Sequence, residues 1–99
     1  HGGSLEAAQK QGARAAALIG LNRASEALPA LDIAEQIVAK LVPDDHSLMQ
    51  RMLTLRAQAL DQLGRAEETR SVARQAIALD GTGSLLKPGE LEQLRAMAR

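Results

Sequence analysis

Residues 14–27 of this chain align on residues 56–69 without a gap, at an offset of 42 residues, and both share the pattern R-A-x-A-L-x-x-L-[N/G]-R-A-x-E. The informative exchange is Asn22 for Gly64. These are the residue types that most readily take a positive φ, so both copies require a left-handed residue at the same place, the end of a helix. A self-similarity with a period of roughly 20–50 residues is the mark of a stack of helical repeats, in which each unit buries a face against the next.

Composition limits what such a stack can be made of. A chain of 99 residues is one domain, long enough to bury roughly 65% of its unfolded surface. It has no Phe, Tyr or Trp, so Leu, Ile, Val, Met and many Ala must fill the core, which favours close helix packing and shallow surface pockets. Twelve Lys+Arg balance twelve Asp+Glu, so nucleic acid is not an expected partner. No apolar run approaches the roughly 20 residues that span a bilayer, so membrane insertion is not expected either. Absent cysteine removes disulfides and thiol chemistry and leaves the redox compartment open. Residues 1–4, His-Gly-Gly-Ser, read as the remnant of a histidine tag and linker and are set aside from the fold.

Apolar residues at helical spacing predict a first helix over 5–21, with Gly12 weakening it by about 1 kcal/mol unless a neighbouring backbone comes close there. A second helix is expected from a cap at Ser25 to about Val42, with Pro29 in its first turns and Pro43 stopping it. Asp44 and Asp45 offer a cap and a favourable charge for a third helix over 46–63, ended by Gly64. A fourth helix buries Val72, Ala73, Ala76, Ile77 and Leu79. Gly81-Thr82-Gly83-Ser84 forms the one true loop, and Pro88 opens a last helix carrying Leu91, Leu94 and Met97. Residues 94–98 begin a third copy of the repeat, so the chain is cut from a longer array or the last helix is a cap. The expected class is all-α, about five helices with no strand.

The second copy resembles a tetratricopeptide repeat (TPR), a helix-turn-helix unit of about 34 residues. With Gly64 on that family's turn glycine, Ala57, Leu60, Ala76 and Leu79-Asp80 fall on its small, large, small and helix-ending positions. Ala15, Leu18, Ala27, Leu31 and Ala34 match in the first copy. Thr69 stands for the usual Ala, Arg14 and Arg56 for a buried Leu, and Gly81 for the usual Pro. The resemblance covers residues 5–81. It implies a right-handed α-α superhelix with repeat one at 5–43, repeat two at 44–81 and a terminal helix at 85–99. It also implies a protein-interaction function with a peptide or protein partner on the concave face. Carried across residue by residue, the family's groove positions are Arg51, Thr54, Gln58, Asp61 and Gln62 on the third helix and Gln9, Ala16 and Ile19 on the first. A second resemblance, over 43–74 and carried by residues 57–67, is to the helical dimerisation domain of bacterial alkylsulfatases. It would make the chain an oligomerisation module attached to an enzyme.

Chemistry is weighed against plainer readings. Gly81-Thr82-Gly83-Ser84 has no preceding strand and no Lys-Ser/Thr at phosphate-loop spacing. His46 beside Asp44 and Asp45 is explained by capping rather than by a metal. Glu67-Glu68 and Glu90/Glu92 lie in first turns, where the helix dipole favours acids. Arg65, Arg70 and Arg74 alternate with Glu67 and Glu68 at pairing distance on a solvated face. No catalytic residue, cofactor or metal is therefore expected. The repeated Arg14 and Arg56 leave two readings open, a ridge that holds a carboxylate or stems packed on apolar neighbours with their charges in water. In the terminal helix, Leu85, Leu86, Leu91, Leu94 and Met97 are too many for one small contact, which leaves some of them open to a second copy of the chain.

Overall fold

The computed structural model describes residues 4–79 and 88–99. It contains α1 (Leu5–Gly20), α2 (Ala24–Leu41), α3 (His46–Gln62), α4 (Ala66–Ala78) and α5 (Pro88–Ala98), with no strand among the described residues. Each helix packs on the next in sequence, and the links α1–α2, α2–α3 and α3–α4 are too short for anything but hairpins. Beyond these neighbours, α1 meets α3 and α3 meets α5, whereas α2 and α4 make no close approach. The odd-numbered helices therefore form one layer and the even-numbered helices the other, with α3 in the middle. The expected Gly81-Thr82-Gly83-Ser84 loop, Leu85 and Leu86 lie outside the described residues.

The turn exchange that aligned the two copies has a direct structural basis. Asn22 has φ 63° and Gly64 φ 74°. Around each, the same pair of bonds closes the helix: Arg23 N–H to Leu18 O at 2.8 Å and Asn22 N–H to Ile19 O at 3.0 Å, then Arg65 N–H to Leu60 O at 3.0 Å and Gly64 N–H to Asp61 O at 3.0 Å. This is the Schellman arrangement, which satisfies the last carbonyls only if one residue turns left-handed. Asn22→Gly is expected to be nearly neutral. Gly64→Val should lose at least about 1 kcal/mol, because a β-branched residue is forced to positive φ. Thermal melting by circular dichroism measures both, and a Gly64→Val protein that melts like its parent would contradict the assignment.

The other half of the repeated pattern, R-A-x-E, acts at the next helix start. The expected cap at Ser25 is not used. The α2 helix begins two residues earlier, with Arg23 at the N-cap and no side-chain cap bond. There the Arg23 guanidinium donates to both Glu26 oxygens at 2.6 Å, and Arg65 repeats the fork on Glu68 at 2.7 and 2.8 Å. The Glu26 carboxyl is held below its ordinary pKa chiefly by the Arg23 bond. Both pairs are solvated, so each adds little stability and serves mainly to set the entry of the chain. The earlier start also leaves Pro29 as the sixth residue of α2, deep enough to cost one internal helix bond.

Among the described residues, two helix caps use side chains. Asp45 accepts from Leu48 N–H at 3.0 Å, as expected, and Ser4 accepts from Ala7 N–H at 3.0 Å. Ser4 thus takes part in the fold, although it belongs to the tag-like start.

Two apolar clusters share α3. The first joins α1 and α2 to Met52 and Ala59, and seven of its twelve buried members are alanine. Those small side chains bring the helices close, as does Gly12: a Cβ there would lie 2.8 Å from Met52 Cε. The close neighbour at Gly12 is thus a methionine side chain rather than a backbone. The second cluster joins Leu53 and Ala57 of α3 to Ala73 and Ala76 of α4 and to Leu94 of α5. Leu94 is fully buried inside the chain, with Leu91 and Met97 half-buried around it.

Candidate functional site

Helix periodicity turns one row of α3 away from both clusters. Ser47, Arg51, Thr54 and Gln58 recur every three or four residues, and they form the base of a groove of about 590 Å³. Its walls come from the other helices of the same layer, Gln9 of α1 and Glu90 of α5. A second hollow of about 300 Å³ continues it between α1 and α3, where Gly12, Ala13 and Ala16 face Met52 and Leu55. Gln9, Leu48, Arg51 and Leu55 line both. The result is one channel along α3 with a polar basin and a smaller apolar shelf.

Five of the eight expected site residues meet there. Arg51, Thr54, Gln58 and Gln9 line the basin, and Ala16 lies on the shelf with Gln9 and Arg51. Thr54 is buried, and its hydroxyl donates to Gln50 O at 2.8 Å, so it is committed to its own helix. Asp61, Gln62 and Ile19 line neither hollow. Gln62 donates from Nε2 to Ile19 O at 3.0 Å and ties the end of α3 to the end of α1, while Asp61 stands exposed beside them.

The structure also places residues in the channel that the sequence did not nominate. Gln50 is buried at its edge, with Nε2 donating to Ala76 O at 2.9 Å across to α4. Ser47, Leu48 and Leu55 belong to the same helical row as Arg51, and that periodicity could have found them. Glu90 and Gly12 sit on other helices, and only packing brings them in. Among the described residues no buried side-chain nitrogen or oxygen lacks a hydrogen-bond partner, and no three His, Cys, Asp or Glu gather as a metal would need. What remains for a ligand is the exposed Arg51 guanidinium, the Gln9 and Gln58 amides, and the apolar shelf.

The repeated arginines divide between the two readings. Arg56 donates from Nε to Glu35 Oε2 at 2.6 Å and from Nη2 to Asp32 Oδ1, so it clasps two carboxylates of α2. Its burial opposes the charge, but the bonds to Glu35 and Asp32 outweigh it and raise the guanidinium pKa above the ordinary arginine value. Arg14, its counterpart, is exposed. On α4, Arg65 pairs within its helix as expected, but Arg70 donates across to Arg99 O at 2.8 Å.

Compared with models of protein families, with curated proteins and with solved structures, the chain gives no match in any of the three. No helix among the described residues is long and apolar enough to cross a membrane.

Proposed function

We propose that this protein is a TPR-like interaction module, two helical hairpins and a terminal helix in a right-handed stack, which receives a peptide segment of a partner protein along α3. The observation that carries this reading is the single channel formed by the helices of one layer, with α3 as its base and Gln9 and Glu90 in its walls. Such a groove suits a chain of backbone amides: Gln9 and Gln58 each offer a donor and an acceptor, and Arg51 adds a fixed positive charge. The shelf beside Gly12 and Ala16 accommodates an aliphatic side chain. Without an aromatic anchor the affinity is modest, in the micromolar range on the order of −8 kcal/mol.

The test is a peptide selected from a random library on the immobilised protein, measured by fluorescence anisotropy. Arg51→Ala combined with Gln58→Ala should weaken that peptide by at least about tenfold, the loss of roughly 1.4 kcal/mol or more. Helical circular dichroism should stay unchanged, because neither side chain is fully buried. Unchanged affinity would move the site off this face.

A further inference from the structure

The open flank of α1 repeats a row that α3 uses to hold another helix. On α3, Met52 and Ala59 pack in the cluster shared with α2, and between them Arg56 clasps Asp32 and Glu35. The same row one repeat earlier, at the offset of 42 residues, is Lys10, Arg14 and Ala17 on α1, all exposed. Arg14 makes no ion pair within 4 Å among the described residues, although its charge acts at longer range on Glu26, which Arg23 holds, and Lys10 pairs with Glu6 at 3.5 Å with both side chains about 80% exposed. Where Met52 adds apolar contact to the α3 row, Lys10 adds a second cation.

We propose that this flank of α1 docks an acidic amphipathic helix of a partner protein, one with two carboxylates three residues apart, as Arg56 takes Asp32 and Glu35. A second copy of the chain does not fit. Its own Asp32 and Glu35 are held by its Arg56, and the equivalent positions on α4 are Arg74 and Ile77, which would set a cation against Arg14. Because Lys10 and Ala17 give little apolar area, the contact is chiefly electrostatic and sensitive to salt. It lies outside the channel along α3 and is independent of what that channel binds.

The probe is a fluorescent synthetic peptide with the sequence of residues 24–42, which carries the acid pair on its native helix. Added in trans at low salt, it should shift the backbone amide resonances of Lys10, Arg14 and Ala17. Arg14→Glu should weaken it by about tenfold or more, and a peptide with Asp32→Lys and Glu35→Lys should bind the Arg14→Glu protein better than the parent. Raising the salt to about 0.5 M should weaken the parent complex several-fold. Unchanged resonances at Lys10 and Arg14, shifts centred on Arg56 or on Arg51 and Gln58, or undiminished binding to Arg14→Glu would each overturn the proposal. Arg14 is exposed on a helix surface, so circular dichroism of the Arg14→Glu protein should match the parent.

Discussion

Leu94→Asp unfolds the protein, or at the least detaches α5 and leaves a less cooperative remainder. Leu94 is 0% exposed and is among the largest fully buried side chains. In its cluster the other buried members are Leu53, which keeps slight exposure, and three fully buried alanines, Ala57, Ala73 and Ala76. It is therefore the main apolar volume that α5 contributes to the space between α3 and α4. Truncation to alanine should cost about 2–5 kcal/mol, through lost transfer energy and the cavity left behind. A carboxylate at the same place has no partner. It must either be buried charged, at a cost greater than the roughly 5–15 kcal/mol that holds a domain of this size together, or be protonated and still unpaired. Urea unfolding followed by circular dichroism, with light scattering on the same samples, checks this. A Leu94→Asp protein that stays folded with the parent's midpoint would show that Leu94 faces outward, as it would in a dimer through the terminal helix.

Arg56→Ala has the next largest expected effect, and the repeat supplies its control. The Arg56 side chain is 18% exposed and Glu35 22%, against 58% for Asp32. Removing the guanidinium strands Glu35 more than Asp32, because Asp32 can return to water. Breaking a fully buried pair costs about 3–5 kcal/mol and an exposed one less than about 1 kcal/mol, so this half-buried clasp should lie near 2–3 kcal/mol. For a domain of this length that is a fall in melting temperature of roughly 10 °C or more. Arg14→Ala, at the matching position of the first copy, should stay within about 0.5 kcal/mol of the parent. Glu35→Gln in a double-mutant cycle isolates the shared energy. Equal losses for Arg14→Ala and Arg56→Ala would mean that the α2 carboxylates contribute nothing.

Those two arginines show how far the sequence could be read. Both stand in R-A-x-A-L, and although Met52 precedes one where Lys10 precedes the other, neither neighbourhood shows which arginine has acids beside it. What the sequence determined by itself is the structure that depends on a few neighbouring residues. A left-handed residue at Asn22 and Gly64 is required by the steric limits on φ, which act within one turn of chain. The Asp45 cap, the stop before Pro43 and the helical period that places Arg51, Thr54 and Gln58 on one row are likewise local, since a helix repeats its own geometry. The R-A-x-E pattern was visible as a repeat and the pairing of Arg65 within its helix was expected, but the matching Arg23–Glu26 fork was missed because Ser25 offered a more familiar cap.

Tertiary structure decided what depends on partners far along the chain. Gln62 has the position of a groove residue, yet its amide meets the Ile19 carbonyl at the end of α1, and a side chain held by such a bond no longer faces a ligand. Glu90 enters the basin and Gly12 opens the shelf only because α5 and α1 pack on either side of α3. Leu94, one of several terminal-helix leucines with the same spacing, is the one fully buried among those described. Arg56 clasps two carboxylates and the exposed Arg14 clasps none for the same reason: α2 carries Asp32 and Glu35 to the flank of α3, whereas the one α2 acid that feels the Arg14 charge, Glu26, is held by Arg23. A charge takes its role from what lies within a few ångströms of it, and in a helical stack that neighbour is supplied by the fold.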